Sequence, residues 1–228
     1  MKAMLLAAGR GERLRPLTDH TPKPLLEVGG RTLIEWQIDR LLRAGVREFV
    51  INLAHLGAQI EAHLGDGARY GARFHYSAEP VGALETGGGI RQALPLLGDT
   101  PFIVANADVW IEFDFARLTA PTRDLGHLVL VRNPAHNAGG DFVLTGDRIA
   151  NDGPQRYTFA GVAVYSRALF EHLPTGRFPL APLLRAAADR GLLGGQLHDG
   201  CWIDVGTPER LAETQLRVAS LTKQDGLV

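Results

Sequence analysis

The sequence contains one cysteine, Cys201, so no intrachain disulfide can form, which fits a reducing compartment. Charge of either sign is scarcely in excess: 24 Lys and Arg stand against 25 Asp and Glu, a formal −1. Nothing global therefore draws the chain to nucleic acid or to an anionic membrane, and any phosphate chemistry must rest on local charge. No apolar run approaches the roughly 20 residues of a membrane span. Lys2 followed by AMLLAA looks briefly like the start of a signal peptide, but the apolar stretch is too short and Arg10 and Arg13 follow at once. Internal repeats, low-complexity segments and linker compositions are missing too. These absences predict a cytoplasmic globular protein that works without nucleic acid or membrane, as a monomer or small homo-oligomer.

What is present is an ordinary globular composition, 45 % hydrophobic and 21 % charged, over 228 residues, enough for a sizeable core. Apolar runs at 3–8, 49–54, 72–79, 102–107, 126–134 and 157–166 read as strands, and 141–149 as a hairpin. Amphipathic spacing predicts helices from 33 to about 42, at 56–64, 90–97, 168–173 and 180–192, and from 208 to about 219. Thr32 and Glu35 have the spacing of a capping box, and Gly45 is a helix stop. Buried strands alternating with amphipathic helices imply an α/β fold with a mainly parallel sheet, whose ligands sit beyond the carboxyl ends of the strands.

The stretch MLLAAGRGERLRPLTDHTPKPLL (4–26) organises the rest. A short strand meets a glycine-rich turn, Gly9–Arg13, whose N–H groups can line a concave site for oxyanions. Arg10, Arg13 and Arg15 add positive charge, and Lys23, between Pro22 and Pro24, is expected on a stiff extended segment rather than in a helix. Gly9-x-Gly11 is neither a dinucleotide fingerprint, since Leu14 takes the place of its third glycine, nor a P-loop. The triple glycine Gly87–Gly89, before a helix, is a second candidate anion contact or else a flexible loop. Asp108 and Asp204 each follow an apolar strand, at 102–107 and 202–203, where a carboxylate is costly unless it binds something. Two carboxylates near a polyphosphate suit Mg²⁺, which takes oxygen ligands. The residues alone thus lead to Mg²⁺-dependent chemistry on a nucleoside triphosphate. His55, His75, His136 and His198 show no metal-ligand spacing, and Cys201, Trp36 and Trp202 read as packing.

LLAAGRGERLRPLTDHTPKPLLEVGGRTLIEW (5–36) resembles the N-terminal signature of the sugar-1-phosphate nucleotidyltransferases. LETGGGI (84–90), VANADVW (104–110) and WIDVGTPERL (202–211) resemble further motifs of that family, so the likeness covers most of the chain. It implies a three-layer Rossmann-like sandwich with a mostly parallel, mixed central sheet, of the glycosyltransferase-A-like kind. A single nucleotidyltransferase domain is expected over 1–220, with 221–228 as a C-terminal tail and no hexapeptide-repeat extension.

The resemblance also implies roles. Arg13 and Lys23 would be catalytic. Ala8, Gly9, Gly11, Glu12, Arg13, Lys23, Glu79, Gly82, Ala83, Thr86 and Asn106 would bind the nucleotide, with residues 80–86 bordering the base. Asn106, Gly140, Asp141, Asn151 and Gly161 would bind the sugar 1-phosphate, and Asp108 and Asp204 would hold Mg²⁺. Glu79 stands where the family often has a glutamine toward a pyrimidine; a carboxylate only accepts, which suits the N3–H of uracil or thymine. The pattern has two departures: the family's E-K-P lysine is missing around 151–157, and Glu85 replaces a common glycine.

Short single-domain chains with these motifs resemble the uridylyltransferases of cell-wall sugar recycling, so UTP and a sugar 1-phosphate are the expected substrates. That acceptor would carry a lactyl carboxylate, for which Arg132, Arg148 and Arg156 are candidate cations. The alternatives are a thymidylyl- or guanylyltransferase for a neutral hexose 1-phosphate, and an inactive nucleotide-sensing module.

Overall fold

A computed structural model of the chain describes residues 1–80, 84–118 and 124–224. Its strands are β1 (Ala3–Leu6), β2 (Glu27–Val28), β3 (Arg31–Thr32), β4 (Glu48–Leu53), β5 (Arg73–Ala78), β6 (Phe102–Asn106), β7 (Val109–Ile111), β8 (Gly126–Val131), β9 (Phe142–Thr145), β10 (Arg148–Ala150), β11 (Arg156–Tyr165), β12 (Leu193–His198) and β13 (Trp202–Asp204). Its helices are α1 (Leu33–Arg43), α2 (Gly57–Leu64), α3 (Glu85–Leu97), α4 (Ala181–Asp189) and α5 (Pro208–Gln224).

Nine strands form one mixed sheet in the order β5-β4-β1-β6-β11-β8-β12-β10-β9. β5, β4, β1 and β6 run parallel, β11 is antiparallel to both β6 and β8, and β12 is parallel to β8. β9 pairs with β10 and also returns to β11, so the far end of the sheet curls on itself.

The period-2 alternation of the central strands feeds two cores. Ala3, Leu5, Phe49 and Ile51 meet Ile34, Ile38, Leu41, Ile60 and Leu64 of α1 and α2 on one face. Met4, Val50, Phe102 and Val104 meet Ile90, Leu94, Leu184 and Ala187 of α3 and α4 on the other. The result is the expected three-layer α/β sandwich. A third cluster docks α5, through Leu211 and Val218, on Trp110, Ile203 and Val205. Thr32 and Glu35 make the expected capping box at the start of α1.

Several elements depart from the sequence pattern. Residues 87–89 do not precede a helix; they lie inside α3, which starts at Glu85. Close approach explains the glycines: a Cβ on Gly88 would stand 2.2 Å from the Gly176 carbonyl oxygen. The helix expected at 168–173 is a 3₁₀ turn, Arg167–Leu169, and that at 180–192 shortens to α4. Residues 193–198, with two glycines and no clear pattern, form β12, held by a six-residue parallel register to β8. α5 runs past the expected end near 219 to Gln224, because Leu221 packs on the third cluster.

Candidate active site

The carboxyl ends of β1, β4 and β6 lie side by side, and the loop after β1 is tied to them. Ala7 N donates to Asn52 Oδ1 at 2.7 Å, and Ala107 N donates to Leu6 O at 3.1 Å. Leu14 anchors the glycine-rich turn from below as a fully buried residue, and Thr18 Oγ1 donates to Gly11 O at 2.8 Å. The N–H groups of Gly9, Arg10 and Gly11 have no intramolecular acceptor among the described residues, the condition for an oxyanion cradle.

Lys23 does not lie on an extended segment. It opens a single 3₁₀ turn, Lys23–Leu25, with Pro24 early in the turn, where a missing N–H costs nothing. Its side chain is 6 % exposed. The ammonium donates to Asp108 Oδ2 at 2.5 Å and lies 3.8 Å from Asp204 Oδ1. Strand register explains why the two aspartates meet: β7 and β13 form an antiparallel ribbon in which Asp204 faces Val109, the residue after Asp108. The ribbon was not legible as such, since VWI (109–111) is only three residues long.

Asp204 gathers more cations. Arg210 Nη1 donates to its Oδ2 at 2.9 Å, and Arg13 Nη2 and His136 Nε2 lie 3.8 and 3.7 Å away. His136, whose spacing gives no ligand signal, reaches Asp204 only through the tertiary fold, and Arg210, six residues after Asp204, carries no mark in the sequence that aims it back at that carboxylate. Arg15 pairs instead with Asp19 at 3.2 Å on the surface. Gln37, wholly buried on α1, donates to Asn106 O at 3.4 Å and Val109 O at 2.9 Å and so fixes the turn that carries Asp108.

Three cavities meet along this edge. The first, about 520 Å³, is lined by Arg10, Gly11, Glu12, Arg13, Lys23 and Asp108. The second, about 250 Å³, shares Asp108 and adds Ala8, Gly9, Asn52, Glu79 and Thr86. The third, about 490 Å³, shares Leu6, Glu85, Thr86 and Asn106 with the second, and runs between the starts of α3 and α4 to Asp141, Phe159 and Gly161. Gly82 and Ala83 lie outside the described residues.

The third cavity depends on a bulge in β11. Gly161 sits there at φ +74°, and a Cβ would stand 2.4 Å from Asn106 Nδ2. Asp141 is clamped: its Oδ2 accepts from Phe159 N at 2.8 Å and from Asn137 Nδ2 at 3.2 Å. Gly140 precedes it, packed beside Asn133 and Arg156. Asn151 turns toward α4, donating to Arg185 O at 2.9 Å and Asp189 Oδ1 at 2.6 Å. Glu79 accepts from Asn52 Nδ2 at 2.6 Å and Leu84 N at 2.7 Å, which leaves lone pairs of its two oxygens for the second cavity. Glu85, at the expected glycine position, has φ 59°, the region glycine occupies freely, and its Oε1 accepts from Arg177 Nε at 2.9 Å. Burial pushes the Cys201 thiol above its ordinary value, in keeping with a packing role.

Asp108 and Asp204 converge at the cradle, and among the described residues no group of three or more Asp, Glu, His or Cys side chains completes a protein cage for a metal. That donor set fits Mg²⁺, which binds through one or two carboxylates plus substrate phosphates. The two aspartates already share one cation, the Lys23 ammonium.

These features gather cations, two carboxylates and unbonded N–H groups at one sheet edge of an α/β fold. The chain belongs to the nucleotidyl transferase family: the family model described as Nucleotidyl transferase matches residues 2–139. It is 51 % identical over 224 residues to the N-acetylmuramate alpha-1-phosphate uridylyltransferase of Neisseria meningitidis serogroup B, covering 94 % of this chain and 97 % of that one. It is 37 % identical over 236 residues to the protein of the same name from Caulobacter vibrioides, with 95 % and 96 % covered. Its fold matches a putative glucose-1-phosphate thymidylyltransferase from Bacillus anthracis, crystallised with a sucrose, at a TM-score of 0.83 and 21 % identity, covering 95 % and 94 % of the chains.

Proposed function

We propose that the protein transfers UMP from UTP to N-acetylmuramate 1-phosphate, releasing pyrophosphate and a UDP-sugar, in cytoplasmic recycling of cell-wall sugars. The observation that carries this reading is the convergence of Lys23, Asp108 and Asp204 beside the unbonded N–H groups of Gly9–Gly11, in a chain 51 % identical to an enzyme named for that reaction. The absence, among the described residues, of a helix long and apolar enough to cross a membrane is compatible with it.

The triphosphate lies in the first cavity, its oxygens accepting from the loop N–H groups and facing Arg13 and Lys23. The base enters the second cavity beside Ala8, Gly9 and Glu79, and Glu79 accepts from uracil N3–H. The acceptor sugar occupies the third cavity, near Asp141 and Gly161, with its phosphate directed past Thr86 and Asn106 toward Asp108. A phosphate oxygen of the acceptor attacks the α-phosphorus in line, a new P–O bond forms, and the bond to pyrophosphate breaks. The nucleophile is already an anion, so no general base is needed, and catalysis is positioning with charge neutralisation. Mg²⁺ held by Asp108 and Asp204 would supply further neutralisation of the phosphates. Lys23, packed between the aspartates, keeps their charges from repelling before substrate arrives and is placed to turn toward the transferring phosphoryl group.

A triphosphate panel with pyrophosphate detection tests the base: UTP is expected to give the highest kcat/KM. Equal or better turnover with dTTP or GTP would remove the uridylyl assignment. Nucleotide binding with no Mg²⁺-dependent pyrophosphate release would restore the reading as an inactive sensor.

A further inference from the structure

The third cavity is lined by two carboxylates and one arginine. Glu85 is neutralised by Arg177 at 2.9 Å, and Asp141 is held by the Phe159 N–H and Asn137. The arginine is Arg185, on α4, whose polar contacts among the described residues are a backbone carbonyl and an amide oxygen and include no carboxylate. Its guanidinium sits over the Phe142 ring, 5.3 Å from the centroid. Both its hydrogen bonds leave from Nη1, to Asp141 O at 3.3 Å and Asn151 Oδ1 at 3.4 Å. Nε and Nη2 carry no bond, so part of the guanidinium fork is unspent. The contrast with Arg132, Arg148 and Arg156 is direct. Each of those is paired, with Asp199, Asp124 and Asp152 at 3.0, 2.8 and 3.0 Å, and none lines this cavity.

Position adds the second half of the argument. The third cavity joins the second through Leu6, Glu85, Thr86 and Asn106, and it is the second that reaches Asp108. Arg185 lines the third cavity and is not among the residues that the two share. An acceptor whose 1-phosphate reaches Asp108 therefore presents the far substituents of its ring to Arg185. We propose that Arg185 is the specificity-determining residue for an acidic acceptor: its free N–H groups bind the carboxylate of the sugar, not the phosphate. This rests on the acceptor reading above, since N-acetylmuramate carries a lactyl carboxylate. Phe142 and Asn151 hold the guanidinium flat and oriented, which is why lysine is not an equivalent at this position.

The test pairs three enzymes with two acceptors: wild type, Arg185→Met and Arg185→Lys, with N-acetylmuramate 1-phosphate and with its lactyl carboxamide. Wild type should favour the acid over the amide by about 10- to 100-fold in kcat/KM, the range for a charge-assisted pair. Arg185→Met should lose that same factor on the acid and less than about threefold on the amide, with KM for UTP unchanged, and the cycle should close. Arg185→Lys should fall between, and it carries the comparison should the methionine variant not fold. Equal losses on acid and amide would place Arg185 at the phosphate or in the framework and overturn the proposal, as would no loss at all. Wild-type turnover of neutral sugar 1-phosphates with none of the acid would instead overturn the acceptor reading, and this inference with it.

Discussion

Lys23 and Asp108 form a 2.5 Å ammonium–carboxylate hydrogen bond, made by a lysine side chain that is 6 % exposed while the aspartate is 26 % exposed. A buried cation bonded to an open carboxylate reads as a site held ready, because the aspartate keeps a face for solvent and ligand. Removing the lysine and removing the carboxylate should therefore differ in stability and agree in activity.

Lys23→Met is expected to lower kcat/KM by about 10³ or more, and to lower the melting temperature too, since it leaves two neighbouring carboxylates without their shared cation. Asp108→Asn and Asp204→Asn should abolish Mg²⁺-dependent pyrophosphate release yet melt within about 4 °C of wild type. Thermal unfolding beside a pyrophosphate assay checks all three. An unfolded asparagine variant would make that aspartate structural.

Gly161→Ala tests how the bulge shapes the acceptor cavity. A methyl at φ +74° would collide with Asn106 Nδ2, 2.4 Å from the Cβ position, so Asn106 must move. The expected cost is about 1–3 kcal/mol, read by urea unfolding. KM for the sugar 1-phosphate should rise more than KM for UTP. Wild-type stability with unchanged constants would show that the bulge relaxes freely.

At position 85 the usual order of helix preference should invert. Glu85 holds φ 59° and bonds Arg177 across the surface. Glu85→Ala loses the pair and keeps the strain, whereas Glu85→Gly loses the pair and relieves it. Glycine should be the more stable of the two by about 1 kcal/mol. Alanine more stable than glycine would mean that the backbone leaves the left-handed region.

The capping box of α1 carries a pH signature. Burial alone would raise the Glu35 carboxyl, but the Thr32 N–H, the Tyr70 hydroxyl and the Thr32 hydroxyl outweigh it and hold the group at about 2, against an ordinary 4.5. A depressed folded value means stability that is complete above pH 4.5 and lost as pH falls toward 2. Glu35→Gln should cost about 1–3 kcal/mol at pH 7. The gap to wild type should close on acidification through that window, as measured by urea unfolding at pH 7 and pH 3. A gap independent of pH would assign the effect to shape alone.

The parts of the site that were legible in the sequence are those carried by short contiguous patterns. GRGER, Asp108 and Asp204 each follow an apolar run, and Lys23 is marked by its two flanking prolines, whereas the β7–β13 ribbon that joins the two aspartates is not marked. What failed to show is tertiary. Gly87–Gly89 read as an anion contact or a flexible loop ahead of a helix because glycine is a poor helix former, yet the approach of Phe178 to Gly87, Gly176 to Gly88 and Glu79 to Gly89 requires small residues there. β12 carries Gly194 and Gly195 and gains its order from β8. Gln37 acts on the turn of Asp108 from a helix distant in sequence, and Arg210, six residues after Asp204, reaches that aspartate only because the start of α5 turns it back. Arg185 sits in an amphipathic helix where nothing marks it apart from its neighbours, and only the enclosing cavity singles it out.

The central claim is tested most directly by incubating the protein with UTP, N-acetylmuramate 1-phosphate and Mg²⁺ and measuring the UDP-sugar and pyrophosphate by chromatography and mass spectrometry. The account predicts both products in equal amounts and neither after chelation of the metal. UTP bound but not consumed, or transfer only to sugar 1-phosphates that lack a carboxylate, would contradict it.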